Sequence, residues 1–193
     1  MNRTSFIIWG VMLLIWCAMR YPAMRRARRQ KTRVDNRTVL DISLLTICVF
    51  GLVVLPIAWR LGLFAGFADR SQSLSVVVLG VATAAVFLWL FRRSHKDLGR
   101  NWSVTLEVRE GHQLVTGGVY AFVRHPMYAS FFLWSFAQAL LIPNWIAGFF
   151  GFAAVLALYA VRQSREEAMM RQTFGWEYDA YCARTKRLIP GIF

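Results

Sequence analysis

Two short polar stretches carry the side chains capable of chemistry in this chain. Arg124 and His125 stand immediately before Pro126, and Arg162, Glu166 and Glu167 follow beyond an intervening apolar stretch. Proline suits the first position of a helix, so His125 meets a helix N-terminus with unpaired N–H groups and a partial positive charge. Such a corner binds anions, and the carboxylate of an amino-acid-like cofactor fits there, with backbone N–H groups and the His125 imidazole as donors. The same pair also reads as a helix anchor at lipid headgroups. Arg162 and Glu166 are four apart and share a helix face, which lets them pair with each other or hold two parts of one site. A carboxylate suits both hydroxyls of a ribose, and an arginine at a membrane boundary suits a substrate carboxylate by a bidentate contact. The plain alternative is a solvated charged helix.

Ahead of Arg124, Gly117-Gly118 allows a sharp bend before Val119-Tyr120, although turns use such pairs as readily as ligands do. No GxGxxG between a strand and a helix occurs in the chain, which argues against a Rossmann-type domain. A cofactor must then lie in a pocket of loops and span ends, where Leu114, Val115 and Tyr120 can pack on an adenine ring. The segment 174–190 mixes Phe174, Trp176, Tyr178 and Tyr181 with Arg184, Lys186 and Arg187, the pattern of an amphipathic helix at the interface or over a pocket.

The elements that position these residues are apolar. Of the 193 residues, 57% are hydrophobic and the mean hydropathy is +0.42, too apolar for an ordinary soluble domain. The net charge of +13 sits in blocks between apolar runs, as in membrane-protein loops and unlike a nucleic-acid-binding stripe. The three cysteines show neither CxxC nor Cys/His ligand spacing, so neither a disulfide framework nor a metal site is supported. Apolar runs at residues 4–19, 39–59, 74–91, 127–142 and 145–161 approach the roughly 17–25 residues of a bilayer-crossing helix. Backbone groups in hydrocarbon must be satisfied within their own segment, so the expectation is an all-α membrane protein with five transmembrane helices. Pro143-Asn144 marks a tight hairpin between the fourth and fifth.

The link after the first run holds Arg20, Arg25, Arg26, Arg28, Arg29, Lys31, Arg33 and Arg37, whereas the next holds Arg60 and Arg70. The positive-inside rule places the first link in the cytoplasm and the N-terminus outside, and residues 92–126 and the tail after 161 share the cytoplasmic side. The basic block after the first apolar run opposes a secretory signal peptide there. The chain reads as one membrane domain, 1–193, with three N-terminal spans in 1–91 and the polar motifs in 92–193.

The motifs RNWS (100–103), HQLVTGGVYAFVRHPMY (112–128), Arg162, Glu166-Glu167, FGWEYDAY (174–181) and RLIP (187–190), taken together in order and spacing, resemble the isoprenylcysteine carboxyl methyltransferase family and its prokaryotic relatives. Val119 departs from a proline frequent there, and Ala129-Ser130 from a small-residue pair containing glycine. The resemblance implies an S-adenosylmethionine site formed by His112, Gln113, Leu114, Val115, Tyr120, His125, Pro126, Met127, Tyr128 and Glu166, with Glu167 the other candidate for the ribose. It implies that Arg162 orients the acceptor, the carboxylate of a prenylated cysteine whose lipid tail enters sideways between helices. Related families share the cofactor loop and the glutamate pair but methylate a phospholipid amine, which needs no anion-binding arginine. A membrane scaffold whose basic loops bind anionic lipid or a partner is the non-enzymatic alternative.

Overall fold

A computed structural model describes residues 2–27, 32–35, 38–101, 107–109 and 113–193. The elements are α1 (Asn2–Ala27), β1 (Thr32–Asp35), α2 (Val39–Val49), α3 (Leu55–Arg60), α4 (Leu74–Leu98), β2 (Glu107–Arg109), α5 (Pro126–Leu141), α6 (Trp145–Phe174) and α7 (Trp176–Arg184). The architecture is a helical bundle, as the apolar runs require. Among the described residues the departure from all-α is the short antiparallel pair β1–β2, which joins the link before α2 to the link after α4.

Among the described residues, four segments are long and apolar enough to cross a membrane: Arg3–Arg26, Val39–Arg60, Leu74–Leu98 and Trp145–Phe174. The fourth expected run forms α5, which has only 16 residues, about 24 Å at 1.5 Å per residue. At 30 residues α6 is the longest helix among the described residues, about 45 Å, so its C-terminal part extends beyond a hydrocarbon core of about 30 Å. Leu14, Leu79 and Leu156 are half-exposed or more, forming part of an outward apolar surface suited to lipid. The chain is a multi-pass membrane protein.

The second apolar run is one continuous helix with a π turn, Phe50–Val54, between α2 and α3. Its cause lies in Pro56, which has no N–H and cannot extend an α-helical ladder. In the π register the Gly51 carbonyl would be met by the N–H of residue 56, so Pro56 leaves it without a partner. Gln138 of α5 supplies one: its Nε2 donates to Gly51 O and to Ala147 O, each at 2.8 Å, while its Oε1 accepts from Trp9 Nε1 at 3.2 Å. Gln138 is fully buried. It therefore ties together α1, the π turn and the α5–α6 hairpin.

At the same level Gly51 approaches α6 closely: a Cβ there would lie 2.6 Å from the Phe150 ring and 3.1 Å from the Gly151 backbone. The absence of a side chain at position 51 allows that approach. The hairpin itself turns at Asn144, whose Oδ1 caps α6 by accepting from Ala147 N–H while its Nδ2 donates to Phe67 O and Asp69 Oδ1. Packed between α4 and α6, α5 anchors an aromatic core of Trp9, Phe87, Phe91 and Trp134. The bundle thereby fixes the start of α5 against the projecting end of α6.

Candidate active site

Pro126 opens α5 as the sequence suggests, with His125 as its N-cap. The strand-like segment before it is held by the chain's last stretch: Arg124 N–H donates to Lys186 O at 2.7 Å and His125 N–H to Arg187 O at 2.9 Å. Val123 and Lys186 form a parallel bridge. This pairing explains why the expected helix over 174–190 is shorter than its amphipathic pattern. Gly175, at φ +55°, ends α6; α7 runs only to Arg184, and the following residues become extended to meet Val123–His125.

The neighbouring glutamates have different surroundings. Glu167 is buried, 1% exposed. Its Oε1 accepts from Arg124 Nη2 at 3.0 Å and Arg187 Nε at 3.0 Å, and lies 3.2 Å from His125 Nε2. Its Oε2 accepts from Arg187 Nη2 at 3.1 Å. Arg124 Nη1 donates to the carbonyls of Cys182 and Thr185. Arg124 is thus an internal clasp rather than a headgroup anchor, joining α5, α6 and α7 through one carboxylate.

Glu166 keeps 24% of its side chain exposed. One oxygen, Oε1, accepts from the Tyr128 hydroxyl at 2.8 Å and lies 3.3 Å from Arg162 Nη2; the other lies 3.7 Å from His125 Nδ1. Arg162 is itself buried, with Nε 3.9 Å from Asp41 Oδ1. Asp41 is fully buried, closes a capping box with Thr38 at the start of α2 and accepts from Arg165 Nη1 at 3.0 Å on each oxygen. The entry to α5 and the exit of α6 therefore meet side by side, and Arg162, Glu166, His125 and Tyr128 form one cluster.

The loop before α5 docks on the end of α4. Gln113 N–H donates to Asn101 Oδ1 at 3.2 Å, and Val119 N–H to Asp97 Oδ2 at 2.9 Å. Gly118 has φ +63°, and a Cβ there would lie 2.1 Å from Asp97 Oδ2, so both its conformation and its neighbour require glycine. Tyr120 is buried in the helical turn that follows, its carbonyl accepting from the Tyr181 hydroxyl at 2.6 Å. Burial, with Tyr181, Glu166 and Asp97 nearby, raises the Tyr120 phenol far above its ordinary range, so it stays neutral. Leu114 and Val115 are half-buried and Gln113 is exposed, while Pro126 is buried and Met127 half-buried. His112 lies outside the described residues.

The motif reading passed over Asp41, Asp97 and Tyr159. Asp41 had a signal: an acid three residues after Thr38 at the head of an apolar run is a capping pattern. Asp97 had none, because its partner is a backbone N–H on another element.

A family model for isoprenylcysteine carboxyl methyltransferase (ICMT) matches residues 76–172, which contain α5, Arg162 and both glutamates. Protein-S-isoprenylcysteine O-methyltransferase B of Arabidopsis thaliana is 34% identical over 96 residues, 49% of this chain and 49% of that protein. The Homo sapiens protein-S-isoprenylcysteine O-methyltransferase is 36% identical over 92 residues, 48% of this chain and 32% of that one. The matched region spans half or less of these relatives' length. A solved structure of the eukaryotic intramembrane Ras methyltransferase ICMT superposes with a TM-score of 0.64 at 21% identity, covering 97% of this chain and 68% of that one, which establishes a shared fold. The chain belongs to the isoprenylcysteine carboxyl methyltransferase family.

Proposed function

We propose that this protein methylates the carboxylate of a prenylcysteine-like lipidated substrate with S-adenosylmethionine as donor. The observation that carries the reading is the Tyr128–Glu166–Arg162 chain, a partly exposed carboxylate beside a buried arginine at the mouth of α5. The relatives named above are protein-S-isoprenylcysteine O-methyltransferases. The first turn of α5 offers N–H groups without intrahelical partners to the donor's amino-acid carboxylate. Glu166 keeps solvent-facing capacity for the ribose hydroxyls, whereas the arginines around Glu167 already occupy both of its oxygens. Tyr120, with Leu114 and Val115, supplies an apolar wall for the adenine, and Gln113 borders it. This donor set fits a nucleoside bearing an amino-acid tail.

The donor supplies an electrophilic methyl on a sulfonium: an acceptor oxygen provides the electron pair of the new C–O bond, and the pair of the broken C–S bond stays on sulfur. A carboxylate is ionised near neutral pH, so no base is needed and no proton moves. The chain's residues orient and desolvate. Arg162, backed by Asp41, holds the acceptor carboxylate, and Tyr128 fixes Glu166. In this reading α5 is a fifth, short crossing, the N-terminus faces outward and the pocket opens to the cytoplasm, in keeping with the basic links.

The deciding experiment incubates the purified protein with labelled S-adenosylmethionine and either an S-farnesylcysteine analogue or phosphatidylethanolamine. Label released by base from the farnesylcysteine product is expected. Label on the phospholipid amine alone, or no transfer together with no calorimetric binding of S-adenosylmethionine, would overturn the proposal.

A further inference from the structure

Tyr159 belongs to none of the family motifs read from the sequence, yet it stands one turn before Arg162 on the same face of α6. It is 7% exposed, and its hydroxyl has no hydrogen-bond partner among the described residues. The Nε of Arg162 makes no hydrogen bond either but faces Asp41 Oδ1 at 3.9 Å. A buried hydroxyl without a partner is costly, and that of Tyr159 calls for an acceptor.

Packing denies Tyr159 an escape. Its ring meets Tyr128 edge-on at 5.3 Å, Phe132 at 5.8 Å and His125 at 6.2 Å. These neighbours fix the ring against the start of α5, beside the side chains that hold Glu166 and Glu167. Tyr128 commits its own hydroxyl to Glu166, so Tyr159 presents the uncommitted phenol of the pair. Phenol O–H and guanidinium N–H are both donors, and three residues apart on one helix face they can serve the two oxygens of one carboxylate.

We propose that Tyr159 is a specificity-determining contact for the methyl acceptor, donating its hydroxyl to one carboxylate oxygen while Arg162 holds the other. The inference deepens the function proposed above and rests on it. A site built to donate to an acceptor discriminates strongly against a ligand that cannot accept, because its own donors are then left unpaired.

The test uses the full-length protein in detergent and Tyr159→Phe, which keeps the ring and its aromatic contacts. Two measurements are made: KM and kcat for an S-farnesylcysteine analogue, and the ratio of affinities for that carboxylate and its neutral carboxamide, by competition in the presence of S-adenosylhomocysteine. Expected are an acceptor KM raised about tenfold, a carboxylate preference narrowed by a similar factor and S-adenosylhomocysteine affinity unchanged. An active native protein whose Tyr159→Phe variant keeps both KM and preference would overturn this contact alone, leaving a buried water as the hydroxyl's partner. Equal losses of acceptor and S-adenosylhomocysteine affinity would also overturn it, as a general packing effect. A native protein that methylates no carboxylate would overturn both proposals.

Discussion

Glu167→Ala is the sharpest probe of the clasp between α5, α6 and α7. The substitution removes a carboxylate that is 1% exposed and leaves Arg124, with 9% of its side chain exposed, facing an apolar methyl. Removing one partner of a buried ion pair typically costs about 3–5 kcal/mol. Arg187, and Arg171 with its Nη2 3.8 Å from Glu167 Oε2, keep 35% and 47% of their side chains exposed and can turn to solvent, which favours the lower end, about 3 kcal/mol. For a chain of this size that corresponds to a fall in Tm of roughly 6–12 °C. Thermal unfolding in detergent, followed by tryptophan fluorescence, reads it directly. Glu166→Ala is the control: its carboxylate is 24% exposed, so the same scan should shift by about 3 °C or less while S-adenosylmethionine binding is lost. A Glu167→Ala protein melting within about 2 °C of its parent would refute the clasp. So would a Glu166→Ala protein with the larger fall.

Gly118→Ala should cost about 3 kcal/mol, from the left-handed backbone and the displaced Asp97 bond to Val119, and should weaken S-adenosylmethionine binding in a calorimetric titration. In an Asp97→Ala background the same change should cost clearly less; equal costs in both would mean the turn does not dock on α4. Gln138→Leu strands the Gly51 and Ala147 carbonyls and the Trp9 indole in an apolar interior. Polar contacts between membrane helices average about 0.6 kcal/mol each, so a loss near 2 kcal/mol is expected, and an unchanged Tm would show that the π turn finds another partner.

The membrane fold is largely legible from unbroken apolar length, because hydrocarbon imposes one local rule on every backbone group. Proline placed the start of α5, and Pro143-Asn144 the hairpin, for equally local reasons. The site was legible to the extent that spacing carries information: Arg162 and Glu166 share a face by helical arithmetic, and His125 caps α5. What spacing could not reveal was the division of labour between adjacent glutamates, since the cations that occupy Glu167 come from residues 124 and 187. The early end of α7 was hidden for the same reason. Its amphipathic pattern continues past Arg184, but the pairing of Lys186 and Arg187 with Val123–His125 overrides it.

The contact between Gly51 and Gly151 also bears on lipid traffic. Where two backbones touch, no acyl or prenyl chain can slip between them, so that flank of the bundle is sealed to lateral diffusion at the depth of the π turn. In the function proposed above, a greasy tail arriving from the bilayer takes its doorway along a different seam.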